Sequence, residues 1–311
     1  MTALGIALWA LAALWLLWLY ATGAHARPYP RYGYLGLAVI AVAEVLLFQK
    51  CQFVGIFFTP IAWTGYIAAV DAAVYSLAGQ SMLTGRGRQF LAVTAMSAPF
   101  WLVFEAYNLR LQNWAYIGLP TNTALRYFGY AWAFSTIWPA MLETAQFLQA
   151  AGLWQHSYAP VKMGAGLRRV AVALGAAMLA IPLLAPRRPA AYLFGLAWLG
   201  FVFLLDPINS RLGAASLSDE FAGGRRARFY ALLAAGAVCG VFWEFWNYWA
   251  ISKWIYIFPI LQNAKIFEMP VPGYLGFLPF ALENFCMYVF LTAIAQRAIG
   301  IRGTDHYVAD F

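Results

Sequence analysis

The sequence predicts an all-α integral membrane protein of about nine transmembrane helices, arranged as two tandem four-helix repeats behind one N-terminal helix. Three observations predict this class. Hydrophobic residues make up 63% of the chain and charged residues only 10%, a balance outside the range of ordinary soluble domains. Apolar runs of about 20 residues, the length a helix needs to cross the hydrocarbon core, recur from end to end. Short blocks of the first half also return in the same order in the second.

The predicted spans lie at 3–21, 34–49, 56–79, 89–111, 128–151, 168–186, 189–208, 228–251 and 273–297. The fifth and sixth flank a polar loop, and the seventh follows Pro186-Arg187-Arg188-Pro189. No long hydrophilic stretch remains for a separate water-soluble domain. The first span lacks a positively charged lead and has a long apolar stretch, which favours an uncleaved helix over a secretory signal. The expected organisation is an N-terminal helix and loop over 1–33, a first repeat over 34–160, a second over 161–300 and a tail over 301–311.

A net charge of +8 would point to nucleic acid in a soluble chain. In a membrane protein it is read through the loops, because Lys and Arg favour the cytoplasmic side. With nine spans, 13 basic residues, among them Arg27, Arg86, Arg168, Arg225 and Arg297, fall on one side. The other side receives 7, including Lys50, Arg126 and Lys253. This split predicts a multi-pass protein of a bacterial inner membrane, N-terminus outside and C-terminus cytoplasmic, with the lipid bilayer and no nucleic acid as partner. Cys51, Cys239 and Cys286 form no CxxC pair, and His25, His156 and His306 fall in predicted loops or the tail. No metal and no cofactor are therefore expected.

The duplication is legible in three blocks. Trp63-Thr-Gly65-Tyr66 leads to Asp71 as Trp198-Leu-Gly200-Phe201 leads to Asp206. Glu105-Ala-Tyr-Asn108 precedes Trp114-Ala-Tyr116 as Glu244-Phe-Trp-Asn247 precedes Trp254-Ile-Tyr256. Pro139-Ala-Met-Leu-Glu143 matches Pro279-Phe-Ala-Leu-Glu283. The offset grows from about 135 to about 140 residues, as one small insertion produces. Four spans per copy keep both copies in one orientation, so the halves are expected to pack about a pseudo-twofold axis along the membrane normal.

Seven of the 12 acidic residues fall inside predicted spans: Glu44, Asp71, Glu105, Glu143, Asp206, Glu244 and Glu283. No Lys or Arg falls near the middle of a span. A charge in hydrocarbon costs at least a few kcal/mol, so these acids are expected to face the bundle interior. Six of them are repeat-matched pairs. A neutral carboxylic acid held in an apolar cavity is a proton donor. Glu105 with Asn108, and Glu244 with Asn247, share a helix face, which serves equally to hydrogen-bond neighbouring helices together. Asp71 and Asp206, near the predicted cytoplasmic ends, fit a structural role better. Proline four residues before Glu143 and Glu283 frees a backbone carbonyl beside the acid, a placement that favours function.

Aromatic residues form 18% of the chain. Trp114, Tyr116, Trp254 and Tyr256 fit interfacial belts. The run Phe242-Trp243-Glu244-Phe245-Trp246-Asn247-Tyr248-Trp249 instead surrounds an acid with π-faces, which attract cations and wall a long apolar ligand. Acid plus aromatics is the combination that protonates an alkene and holds the resulting carbocation. A well-packed Trp-rich bundle looks the same. There is no P-loop or dinucleotide fingerprint, no intramembrane Lys for a retinal Schiff base, and no Asp-rich diphosphate motif.

Trp243-Glu244, Trp254-Ile-Tyr256 and Pro279-Phe-Ala-Leu-Glu283-Asn284-Phe285 together resemble the paired domain of small membrane lycopene cyclases. Such domains typically carry Trp-Asp, Trp-x-Tyr and Pro-x-Glu-Glu. The resemblance covers the last two helices of each repeat, about a third of the chain. This chain departs from the pattern in having Glu244 for the aspartate, a longer Pro-to-Glu spacing, and Asn284 or Thr144 where a second acid would stand. Each copy is also one helix longer. The resemblance implies proton-initiated cyclisation of a long isoprenoid, carotenoid or terpenoid, with no redox change. On that reading Glu283 or Glu143 donates the proton, Glu244 or Glu105 accepts one or orients the donor, and Trp243 and Trp246 stabilise the cation. Asn108, Asn247, Tyr274, Phe280, Asp71 and Asp206 complete the expected binding residues. A proton-coupled transporter or lipid carrier, and a non-catalytic pigment- or lipid-binding subunit, are the alternatives. Few Ser, Thr, Asn or Gln residues within the spans count against transport.

Overall fold

The computed structural model describes residues 1–298; the expected tail over 301–311, and the last two residues of the expected second repeat, lie outside them. The chain runs through α1 (Thr2–Thr22), α2 (Arg31–Phe48), α3 (Gln52–Ala78), α4 (Met82–Gly85), α5 (Gly87–Leu111), β1 (Trp114–Ile117), α6 (Thr123–Ser135) and α7 (Ile137–Ala150). It continues through α8 (Ala165–Leu184), α9 (Arg187–Ala190), α10 (Phe194–Arg211), α11 (Leu217–Ala222), α12 (Ala227–Trp249), β2 (Lys253–Tyr256), β3 (Lys265–Ile266), β4 (Met269–Pro270) and a 3₁₀ turn (Val271–Gly273) into α13 (Tyr274–Ala298). Among the described residues seven helices are long and apolar enough to cross a membrane: α1, α2, α3, α5, α8, α12 and α13 with its preceding turn. This is the build of a multi-pass membrane protein.

Two of the nine expected spans take another form. The run 128–151 is broken at Thr136 into α6 and α7. Pro139 has no N–H to close a helical bond onto Ser135. Ser97 Oγ bridges the break, donating to the Phe134 carbonyl at 2.5 Å and accepting from Trp138 N–H at 3.1 Å. The run 189–208 becomes the short α9 and then α10, whose last turns carry Asp206, Asn209 and Arg211. Two small antiparallel ladders, β1–β2 and β3–β4, interrupt the expected all-helical pattern. Strands of two to four residues leave no periodic trace in a sequence.

The hydrophobic surface is turned outward. Leu11, Leu14 and Leu35, and Leu184 in α8, are all more than half exposed, an arrangement that lipid satisfies and water does not. Polar groups are drawn inward: Asp71, Glu143, Glu244 and Glu283 have no exposed surface. Most of the core comes from α3, α7, α12 and α13.

Matched residues make matched contacts. Gly36 on α2 and Gly65 on α3 bring their backbones so close that a Cβ on either would stand 2.5 or 2.6 Å from the other's carbonyl. Gly175 on α8 and Gly200 on α10 repeat the crossing, with a Cβ on Gly175 at 2.7 Å from the Gly200 carbonyl. Small residues let membrane helices approach this way. Asp71 accepts from Leu83 N–H at 2.9 Å and Asp206 from Ser218 N–H at 3.1 Å, the same position after each aspartate. Each carboxylate thus holds the start of a short helix, α4 or α11, against the end of the preceding long one. Ser81 and Ser216 cap those two helices.

Candidate functional site

The last turn of α5 carries Asn108, whose side chain folds over the chain that follows. Its Oδ1 accepts from Asn113 and Trp114 N–H at 2.8 and 3.1 Å, and its Nδ2 donates to the Trp114 carbonyl at 2.9 Å. Asn247 does the same to Trp254, accepting at 3.0 Å and donating at 2.8 Å. The two asparagines therefore fix the starts of β1 and β2. The strands then pair antiparallel with Trp114 opposite Tyr256, Ala115 opposite Ile255 and Tyr116 opposite Trp254. Each matched residue faces the counterpart of its own partner.

Beneath this ladder lies a cleft with a cavity volume of about 110 Å³, partly open to the outside. Both halves wall it. Trp63, Trp101, Trp114 and Tyr116 come from one, and Trp198, Trp243, Trp254, Tyr256, Phe277 and Phe280 from the other. Six of the chain's 14 tryptophans line it. Their rings pack edge to face or tilted: Trp101 meets Trp243 at 6.0 Å, Trp63 meets Trp243 at 5.7 Å, and Trp198 meets Phe280 at 5.5 Å between centroids.

Directly behind the aromatic wall stand two matched carboxyls. Glu105 Oε1 accepts from Trp101 Nε1 at 2.7 Å, Trp114 Nε1 at 3.1 Å and Tyr116 Oη at 2.5 Å. Glu244 Oε1 accepts from Tyr256 Oη at 2.9 Å, and Trp254 Nε1 donates to that same phenol at 2.9 Å. The second oxygen of Glu244 has no hydrogen-bond partner among the described residues. Burial first, and then the adjacent Glu105 and Glu244 carboxyls, push the Tyr116 and Tyr256 phenols far above their ordinary range. Each phenol keeps its proton and donates it to its glutamate.

The structure sorts the residues expected from sequence. Trp243 and Phe280 line the cleft. Glu105 and Glu244 reach it through Tyr116 and Tyr256. Asn108 and Asn247 clamp the ladder and do not line the cavity. Asp71 and Asp206 hold α4 and α11 away from it. Trp246 lies outside the lining, packed at 4.9 Å against Trp63, with its Nε1 3.4 Å from Glu44. Tyr274 donates to the Ile266 carbonyl at 3.1 Å and steadies the β3–β4 loop. Glu143 and Glu283 are fully buried and outside the lining; Glu143 stands beside the Asp71 carboxyl, while both oxygens of Glu283 are unpartnered among the described residues. Their prolines differ as well: Pro139 sits in the first turn of α7, whereas Pro279 lies inside α13.

Trp114, Tyr116, Trp254 and Tyr256, which fit an interfacial belt by sequence, form the roof of the cleft. The signal was present in their exact repeat matching, as it was for Trp63 and Trp198. Trp101 had no such signal, because Gly240 stands at the matching position. There a Cβ would meet the Phe277 ring at 2.3 Å, so Phe277 fills in one half the space that Trp101 takes in the other.

Charge is confined to the mouth. Lys253 lines it but is neutralised by Glu268 at 2.5 Å. Arg126 lines it with one hydrogen bond, from Nε to the Pro120 carbonyl at 3.0 Å. No cluster of His, Cys, Asp and Glu that could hold a metal stands among the described residues. Comparison with known proteins adds no neighbour: no protein-family model matches the chain, and neither does any curated protein or solved structure.

Proposed function

We propose that this chain is an intramembrane cyclase that isomerises a long isoprenoid, carotenoid or terpenoid, by proton-initiated carbocation chemistry. The observation that carries the reading is the pair of cleft-lining phenols, Tyr116 and Tyr256, hydrogen-bonded to the matched glutamates Glu105, half-buried, and Glu244, fully buried, behind an aromatic wall. One Glu–Tyr pair passes a proton to a terminal double bond, the neighbouring double bond closes on the cation, and the other pair takes a proton from the adjacent carbon. One proton enters and one leaves, so the product has the mass of the substrate. The tryptophan faces stabilise the cation between these events. The proton roles fall on Glu105 and Glu244 in place of Glu143 and Glu283, because only the former pair touches groups of the lining.

The same reading takes the fold as nine crossings in two tandem four-helix copies related by a pseudo-twofold axis. The reciprocal β1–β2 register, the paired glycine crossings and the paired aspartate tethers support it. The end holding Arg27, Arg86, Arg168 and Arg225 then faces the cytoplasm of a bacterial inner membrane, and the cleft opens towards the opposite end. A proton-coupled lipid carrier is the second reading, favoured by Glu143, which lies beside Asp71 outside the cleft.

The test is mass analysis of neutral and anionic isoprenoid extracts from a lycopene-producing bacterial host expressing the chain, beside Glu105→Gln and Glu244→Gln. A new isomer of unchanged mass, lost in either variant, is the expected result. An isomer retained in both variants removes the two acids. No isomer in any fraction, with the protein inserted, overturns the cyclase and leaves the carrier.

A further inference from the structure

We infer that the occupant of the cleft is an amphiphile, an isoprenoid chain ending in a phosphate-type oxyanion, and that Arg126 holds the anionic end. The inference rests on the proposed isoprenoid reading and narrows its substrate class. The lining is aromatic and aliphatic almost throughout, which suits a hydrocarbon chain but leaves the position of that chain along the cleft undetermined. Two polar groups of the lining suit an oxyanion. Arg126, on the first turn of α6, has no carboxylate partner among the described residues, and its two terminal nitrogens make no hydrogen bond there. The nearby cation Lys253 is already matched by Glu268, so Arg126 supplies the charge to which an anion responds. A guanidinium also presents the forked donors that suit an oxyanion.

The second group is the Thr59 hydroxyl on α3. It is 7% exposed, lines the same cleft and has no hydrogen-bond partner among the described residues. Leaving such a hydroxyl bare is costly, and a ligand oxygen resolves it. Thr59 and Arg126 line the same cleft on two helices that pack together, α3 and α6, where Phe57 meets Phe128 at 5.9 Å and a Cβ on Gly129 would touch the Phe57 ring at 3.2 Å. The polar end is assigned to the part of the cleft that α3 and α6 line, with the tail against Trp101 and Trp243. A purely hydrocarbon carotenoid would use neither group.

The experiment follows the shift in tryptophan emission as farnesyl phosphate or farnesol is titrated into the detergent-solubilised protein, with Arg126→Gln and Arg126→Lys beside the native chain. Farnesyl phosphate is expected to bind the native protein about tenfold more tightly than farnesol, in keeping with one charge-assisted contact. Arg126→Gln is expected to erase that preference with farnesol affinity unchanged, and Arg126→Lys to keep part of it. Equal affinities in the native protein, or a preference that survives Arg126→Gln, overturn the inference while leaving an isoprenoid site in place. Displacement of the bound phosphate by short-chain phosphatidylglycerol at equal concentration assigns Arg126 to bilayer headgroups and overturns it too. No emission shift with either probe overturns the isoprenoid reading itself.

Discussion

Tyr116 and Trp254 stand opposite one another across the β1–β2 ladder, and their repeat counterparts Tyr256 and Trp114 close the same ladder two positions along. A pairing of four residues therefore joins the two halves, roofs the cleft and aims one phenol at each of Glu105 and Glu244. Structure and proposed chemistry share the same side chains, so their contributions must be separated by substitutions that leave the ring in place.

Tyr116→Phe and Tyr256→Phe retain the rings and remove only the hydroxyls. Each is expected to lower isomer formation by about 10²-fold or more, the range of general acid–base contributions. Thermal stability should change by only about 1 kcal/mol, the net worth of one hydrogen bond. Product yield per folded protein, set against unfolding temperature, measures both.

Asn247→Ala removes both side-chain bonds that hold Trp254. The ladder should loosen at a cost of about 1–3 kcal/mol. Hydrogen exchange of peptides covering 253–256 is expected to speed up, with 114–117 following because the strands pair. Unchanged exchange in both segments would mean that the clamp is redundant.

Asp206→Ala leaves the Leu217 and Ser218 amides without their acceptor. A loss of about 1–3 kcal/mol per unsatisfied buried amide is expected, with ligand-induced tryptophan shifts intact because Asp206 lies away from the cleft. Asp71→Ala should behave alike. Loss of ligand response at native stability would contradict this division.

Gly65→Leu places a side chain where a Cβ already lies 2.6 Å from the Gly36 carbonyl. The yield of folded protein should collapse, since overpacking of this kind costs about 1–3 kcal/mol or more. Gly166→Ala, with open space around it, is expected to be neutral in the same size-exclusion assay.

The Arg168–Asp219 pair at 2.7 Å gives a pH dependence. Burial alone raises the Asp219 carboxyl, but hydrogen bonds from Ser210, Arg168 and Ser216 and the Arg168 charge outweigh it and hold it below its ordinary value. A depressed carboxyl contributes stability above its unfolded pKa and loses it as pH falls through the folded one. Asp219→Asn should therefore be slightly less stable than the native protein at about pH 7, with the difference shrinking as pH falls below the ordinary aspartate value of about 3.9. Asp219 is 46% exposed, so the difference should stay below about 1 kcal/mol. Unfolding temperatures across that range check the sign.

Hydropathy and repeat matching alone determined that this is a helical multi-pass membrane chain, where most of its helices lie, and that its acids come in matched pairs. These properties are local or periodic: an apolar run of spanning length, or a motif returning at fixed offset, is complete before any long-range contact forms. Which acids stand at the cleft was decided only by tertiary structure. Glu143 and Glu283 carry the more pointed motif, yet packing leaves them off the cleft, while Glu105 and Glu244 reach it through tyrosines on four-residue strands. The role of Asn108 and Asn247 as clamps, the break at Thr136 bridged by Ser97, and the place of Arg126 in the cleft depend likewise on partners far away in sequence. Hydropathy places a residue in the bilayer, but the direction it faces is set by the helices packed around it.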